Sequence, residues 1–270
     1  MELSEKKGVL SHQEIQRRKR RRARARAALI AVLILLLLVT VCAVLLKTVL
    51  FPISNISVEG NVKVLPEDII DSSGIEIGDR LFSVSSLRLN KILTVKHPYI
   101  KTVKIKYPSF EEIKIVVTET EDVFCYQKGA KYYVTDIDNK VLRECSEKPE
   151  GLAFINTKTE IDAEIGYQTS AEEFDTVLNI YNFLVKEEVM LNELDISNIT
   201  FIKLKINGRF IVNIGSITDL DGKLEHLAAM LPQIDAKNGD DITGEIDLST
   251  WSNSKREGFF RPKNSEWFVF

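Results

Sequence analysis

The chain has 270 residues, 44% of them hydrophobic, and its 36 basic and 39 acidic residues leave a net charge of −3. That balance gives no reason to expect a nucleic-acid partner, and three cysteines are too few for a disulfide framework. The charge is unevenly placed: residues 1–26 carry +7 and residues 48–270 carry −11.

The basic end runs straight into an apolar one. In "RRKRRRARARAALIAVLILLLLVTVCAVLLK" eight of the ten positions from 17 to 26 are Arg or Lys, and no charge follows from Ala27 to Leu46. Twenty such residues make a helix of roughly 30 Å, the thickness of a bilayer's hydrocarbon core. The stretch is longer than the apolar part of a cleavable signal peptide, and Val41 is too bulky for the small residue that usually precedes a lipoprotein cysteine such as Cys42. The expected feature is an uncleaved transmembrane helix over 27–50, preceded by a basic cytoplasmic arm over 1–26. Arg17, Arg18, Lys19, Arg20, Arg21, Arg22, Arg24 and Arg26 set the orientation, with the N-terminus inside and the rest outside.

Beyond Pro52 the elements alternate. "ISNISVEG" reads as a strand ending at Gly60. "LPEDIIDSSG" reads as a short helix with Pro66, Glu67 and Asp68 in its first turn and Gly74 past its end. A second helix carries Leu89, Ile92 and Leu93 and stops before His97-Pro98. Two strands follow, one alternating Val103, Ile105 and Tyr107 with Thr102, Lys104 and Lys106, the other Ile113, Ile115 and Val117 with Lys114, Val116 and Thr118. The order is β-α-α-β-β. The lysine-bearing face is a solvated face in the simplest reading.

"VEGNVKVLPEDIIDSSGIEIGDRLF" and "HPYIKTVKIKYPSFEEIKIVVTE", behind an arm and an anchor, resemble the POTRA module of the bacterial division proteins called FtsQ or DivIB. POTRA modules in outer-membrane transporters come in series and precede a barrel, whereas here one copy follows an anchor and no run of lipid-facing strands comes after it.

The second block continues the resemblance. "KYYVTDIDNKVL" reads as a hairpin turning at Asp138-Asn139. A helix is signalled by a Ser170-x-x-Glu173 capping box and an apolar face of Phe174, Val177, Leu178, Tyr181, Leu184 and Val185. "ITFIKLKINGRFIVNIG" is a hairpin around Asn207-Gly208. Leu220, Leu224, Leu227 and Leu231 make a further helix ended by Pro232, and "GEIDLSTW" and "EGFFRP" are two last strands. The fold class is α+β: a single N-terminal transmembrane helix, a POTRA domain over 52–120, a mixed, largely antiparallel β domain with two or more helices over 121–262, and a tail over 263–270.

Signatures of chemistry are few. His12, His97 and His226 have no ligand spacing, and His226 reads as a solvated helix residue. "TDIDNK" and "TDLDGK" start like calcium loops but lack the Gly and closing Glu, so Asp136, Asp138, Asp219 and Asp221 are turn and cap carboxylates. No phosphate-loop, hydrolase or penicillin-binding pattern stands in the outer part. Cys125 and Cys145 lie outside the anchor and their pairing is left open.

No catalytic, cofactor-binding or metal residue is expected. The resemblance implies a non-catalytic, membrane-anchored scaffold of the division septum that holds FtsL and DivIC- or FtsB-type partners, and through them the septal peptidoglycan synthase. The other readings are a cell-envelope enzyme or an extracellular ligand sensor. The expected partner site is an unpaired edge at "EGFFRP" with the tail, namely Gly258, Phe259, Phe260, Arg261, Pro262, Trp267 and Phe268. Five aromatics in the last twelve residues are a costly exposure for a solvated tail.

Overall fold

The computed structural model describes residues 12–49, 51–169, 173–239, 241–263 and 268–269. By its contacts the chain divides into two compact units. One takes in the chain up to Ser57 with Ile75–Ser85 and Tyr107–Lys114; the other takes in Val58–Gly74, Ser86–Lys106 and the chain from Ile115 onward.

The first unit is led by helix α1, His12–Val49, whose stretch Arg26–Val44 is apolar enough to cross a membrane and has none of its surface buried inside the protein. A helix apolar on every side cannot be satisfied by water, which suggests membrane anchoring. The basic residues from Arg17 to Arg26 are helical and continuous with the apolar stretch. Arg, Lys and Ala are strong helix formers, and the apolar helix extends back through them to His12. Arg26 is exposed; the side chains of the other seven basic residues lie outside the described ones.

Behind α1 the chain is tied down locally. The Ile53 N–H donates to the Asp79 carbonyl and the Gly78 N–H to the Ile53 carbonyl, both at 2.8 Å, while the Leu81 N–H donates to Phe51 at 3.1 Å. Leu81–Ser83 form a 3-10 turn that the sequence did not reveal, and Ile53, Ile75, Leu81 and Ile113 are buried.

Strands β1 (Asn55–Glu59), β2 (Ile100–Lys106) and β3 (Glu112–Glu119) make a three-stranded sheet in the order β1-β3-β2. On β3, Ile113, Ile115 and Val117 are buried as the alternation requires. On β2 the pattern slips: Ile100 and Val103 are buried, and Tyr107 lies past the strand, 42% exposed. Helices α2 (Pro66–Ser73) and α3 (Ser86–Lys96) stand where expected, α2 ending at Gly74 with φ 64°. In the second unit Ile69, Leu89 and Leu93 are buried, the Asn90 side chain accepts the Val103 N–H at 2.8 Å, and His97 Nε2 lies 2.8 Å from Ser72 Oγ.

The rest of the second unit is a ten-stranded sheet. Its strands in chain order are β4 (Phe124–Lys128), β5 (Lys131–Thr135), β6 (Val141–Cys145), β7 (Ala153–Asn156), β8 (Leu191–Asp195), β9 (Ile202–Ile206), β10 (Phe210–Gly215), β11 (Gly244–Asp247), β12 (Phe259–Pro262) and β13 (Phe268–Val269). In space they run β13-β12-β11-β10-β9-β8-β7-β4-β5-β6. The pairs β4/β7, β7/β8 and β10/β11 are parallel and the remaining neighbours antiparallel. Parallel neighbours need a crossover, and two of these pairs use a helix for it: α4 (Phe174–Lys186) between β7 and β8, and α5 (Leu220–Asn238) between β10 and β11.

Both helices differ from their sequence reading. The described part of α4 begins at Phe174 after Glu173, which makes no side-chain cap; Ser170 lies outside the described residues. Its buried face is Val177, Ile180 and Leu184, whereas Val185 is 54% exposed. Pro232 does not end α5. Proline forfeits one backbone bond and crowds the preceding turn, but buried Ile234 and an Asp235–Arg209 ion pair at 3.0 Å hold the last turns in place.

Candidate partner-binding edge

The antiparallel register of β11 and β12 sets Asp247 against Phe259, Ile246 against Phe260, Glu245 against Arg261 and Gly244 against Pro262. Side chains alternate along β12. Phe260 is fully buried, its ring 5.9 Å from that of Phe210 in an edge-on packing, and Pro262 is buried with it, while Phe259 and Arg261 are half-buried on the other face. Gly258 is buried under Met230, Leu248 and His226, which leave no room for a Cβ there. Three of the expected partner residues, Gly258, Phe260 and Pro262, therefore serve the core, and the outward chemistry of the strand falls to Phe259 and Arg261.

The edge itself is a correction. β12 is not the last strand: β13 returns alongside it, pairing Val269 with Phe259 and Phe268 with Phe260. The chain beyond Lys263 supplies main-chain partners to groups that the sequence reading left open, which local pattern does not reveal. Trp267 lies outside the described residues, and Phe268 is placed by its backbone alone.

Beside this end of the sheet is an open groove of about 830 Å³ whose lining includes Lys205, Arg209, Ile211, Thr243, Arg261 and Lys263. Arg209 grips Asp235 with two nitrogens at 3.0 and 3.2 Å, and Arg261 is paired with Glu245 across the two strands. Ile211 is 51% exposed. Sequence reasoning missed Lys205 and Arg209, although both flank the Asn207-Gly208 turn; that each sits beside β11 and β12 depends on the α5 crossover. The groove is lined by both signs of charge, its two guanidiniums held by Asp235 and Glu245 and its two lysines, Lys205 and Lys263, beside them.

The remaining candidates are structural. The Asp136 carboxylate accepts the Asp138 and Lys140 N–H groups at 3.0 and 2.9 Å, closing the β5–β6 turn, and Asp219 accepts from the Asn253 amide at 2.9 Å. His226 is half-buried beside Trp251, with ring centres 6.2 Å apart, rather than solvated. Cys125 and Cys145 are free thiols, the first buried, the second accepting from Arg143 at 2.6 Å. Burial pushes the Cys125 thiol up to about 11.

Residues 51–120 match the model of the FtsQ-type POTRA domain. Over 221 residues the chain is 28% identical to a cell division protein DivIB of Clostridium botulinum strain Loch Maree, covering 79% of this chain and 83% of that protein. It is 29% identical over 192 residues to a cell division protein DivIB of Clostridium acetobutylicum, covering 68% and 74%. With an apolar N-terminal helix, the β-α-α-β-β module and the sheet that follows it, the chain is similar over most of its length to the DivIB cell-division proteins, and its residues 51–120 match the FtsQ-type POTRA domain.

Proposed function

We propose that this protein is a non-catalytic scaffold of the division septum, a single-pass membrane protein with its N-terminus in the cytoplasm and the chain beyond α1 outside. Its modules are residues 52–120 and 121–262. It holds FtsL and a DivIC- or FtsB-type partner and acts through them on the septal peptidoglycan synthase. The observation that carries the reading is the β12–β13 end of the large sheet, closed by two residues and flanked by the Arg209, Arg261 and Lys263 groove. An incoming strand would replace β13, take its affinity from the main chain of β12, and match its side chains to Phe259 and Arg261.

The test is capture of a purified DivIC-type partner by the full chain in detergent. Phe259→Ala with Arg261→Gln should lower capture at least tenfold, about 1.4 kcal/mol, while the protein keeps a cooperative melt. Unchanged capture places the partner elsewhere. Release of fragments from purified cell wall by the same preparation would favour the envelope-enzyme reading.

A further inference from the structure

Where α1 ends, four aromatic rings gather on the first compact unit. Phe51 stacks on Phe110 with centroids 5.0 Å apart and 29° between planes, meets Phe82 edge-on at 6.1 Å, and Phe82 lies 5.6 Å from Tyr107. The cluster is not a core. Phe110 is 67% exposed, Phe82 and Tyr107 are each 42% exposed, and Ile77, next to the Gly78 that bonds Ile53, is 73% exposed. The four rings form an exposed apolar patch on a segment that water should otherwise cover.

The patch is tied to the point where the chain leaves the apolar helix. The Leu81 N–H bonds the Phe51 carbonyl, and α1 touches the Leu81–Ser83 turn. In the sequence the uncharged apolar stretch runs to Leu46, before Lys47, and the helix ends at Val49, so Phe51 follows that stretch by five residues, on the order of 10 Å. That is the depth of the headgroup layer, where aromatic rings with a polar tip or edge are favoured. Tyr107 has that character: its ring joins the cluster while its hydroxyl reaches the Val84 carbonyl at 3.5 Å.

We infer that Phe51, Phe82, Tyr107 and Phe110 form a seat that rests in the lipid headgroup layer beside the anchor and fixes how the first folded unit stands on the membrane. The inference rests on α1 being a membrane anchor. The occupant is lipid because the covalent path delivers the patch to the bilayer surface. The carboxylates of Asp79 and Glu111 sit in the same unit, each already accepting a hydrogen bond, from the Glu76 N–H and the Ser54 hydroxyl. With Arg80 and Lys114 also in this unit, the charges around the seat are of both signs and favour no anionic lipid.

The full chain, reconstituted into phosphatidylcholine vesicles, tests this with one added tryptophan at a time: Phe110→Trp, Phe82→Trp, and Phe201→Trp as a control, since Phe201 is 49% exposed but belongs to the second unit. Lipid brominated near the headgroup should quench the emission added by Phe110→Trp and by Phe82→Trp roughly twofold more than that added by Phe201→Trp. Replacing half the lipid by phosphatidylglycerol should not change the ratio. Equal quenching at all three sites, in vesicles that retain the protein through alkaline washing, overturns the seat alone. A protein washed from the vesicles overturns the anchor and the seat with it.

Discussion

The Lys140 ammonium lies 2.7 Å from the Pro98 carbonyl oxygen. The same nitrogen donates to Thr94 at 2.7 Å and Ile100 at 3.0 Å, so one side chain from the β5–β6 turn closes carbonyls at and just beyond the end of α3, where a helix leaves acceptors without partners. A few residues away Lys101 pairs with Asp138 at 2.6 Å, with both side chains about half exposed. Lys140→Met should destabilise the second unit by about 2–3 kcal/mol because it strands three acceptors. Lys101→Met should cost less than about 1 kcal/mol, since a solvated pair gains little. Urea denaturation of the two variants separates them.

Gly60 has φ 88°, and a Cβ there would run into the Val117 carbonyl oxygen. Gly129 has φ 60° with open space around it. Gly60→Ala should therefore lower stability by roughly 2–4 kcal/mol, adding a steric clash on β3 to the left-handed strain, and Gly129→Ala by about 1 kcal/mol from strain alone. Thermal melts of both variants check the ranking.

Phe260 and Phe259 are neighbours with opposite duties. Phe260→Ala removes a fully buried ring from its packing on Phe210 and should cost about 3–5 kcal/mol. Phe259→Ala should change stability by less than about 1 kcal/mol. A loss of partner capture in the Phe260 variant that tracks its loss of folded protein marks that residue as core, whereas loss in the fully folded Phe259 variant marks a contact.

The Cys125 thiol, raised from its ordinary 9.0 to about 11 by burial, is held neutral by the fold. The sign follows from linkage: the unfolded chain ionises this thiol first, so its contribution to stability is fully present below pH 9 and is lost as pH rises from 9 through 11. In a Cys42→Ala background at pH 8, a thiol reagent should modify Cys145 promptly and Cys125 only after denaturant is added. Cys125→Ala should flatten the alkaline decline in melting temperature.

The hairpin from Ile202 to Ile214 was legible because every signal in it is local: strict alternation, with Asn207 at φ 51° and Gly208 at φ 66° supplying the turn its strands require. β7 and β8 were not foreseen. Each is four or five residues long, and they pair with each other in parallel across a separation that includes α4. Nothing in "GLAFIN" or "MLNELD" announces a partner that far away. The continuation of α5 beyond Pro232 likewise depends on Ile234 finding a core and Asp235 finding Arg209. At the candidate site, the strand "EGFFRP" and the opposite faces of Phe259 and Phe260 were readable from alternation. The return of β13 and the convergence of Lys205 and Arg209 on the groove were not, because both follow from where the chain doubles back.

The two ends of the large sheet are finished differently. At the β6 end the Val141 N–H donates to Tyr167, the Gly166 N–H to Val141 and the Thr169 N–H to Asn139, so a stretch of loop lies over the start of that strand. At the other end the covering among the described residues is β13, two residues in register with Phe259 and Phe260. A sheet equally receptive at both ends stacks copy upon copy into a filament. With one end under loop and the other closed by a short strand, the two ends are not equivalent, and the sheet does not present two matching edges for stacking copy upon copy.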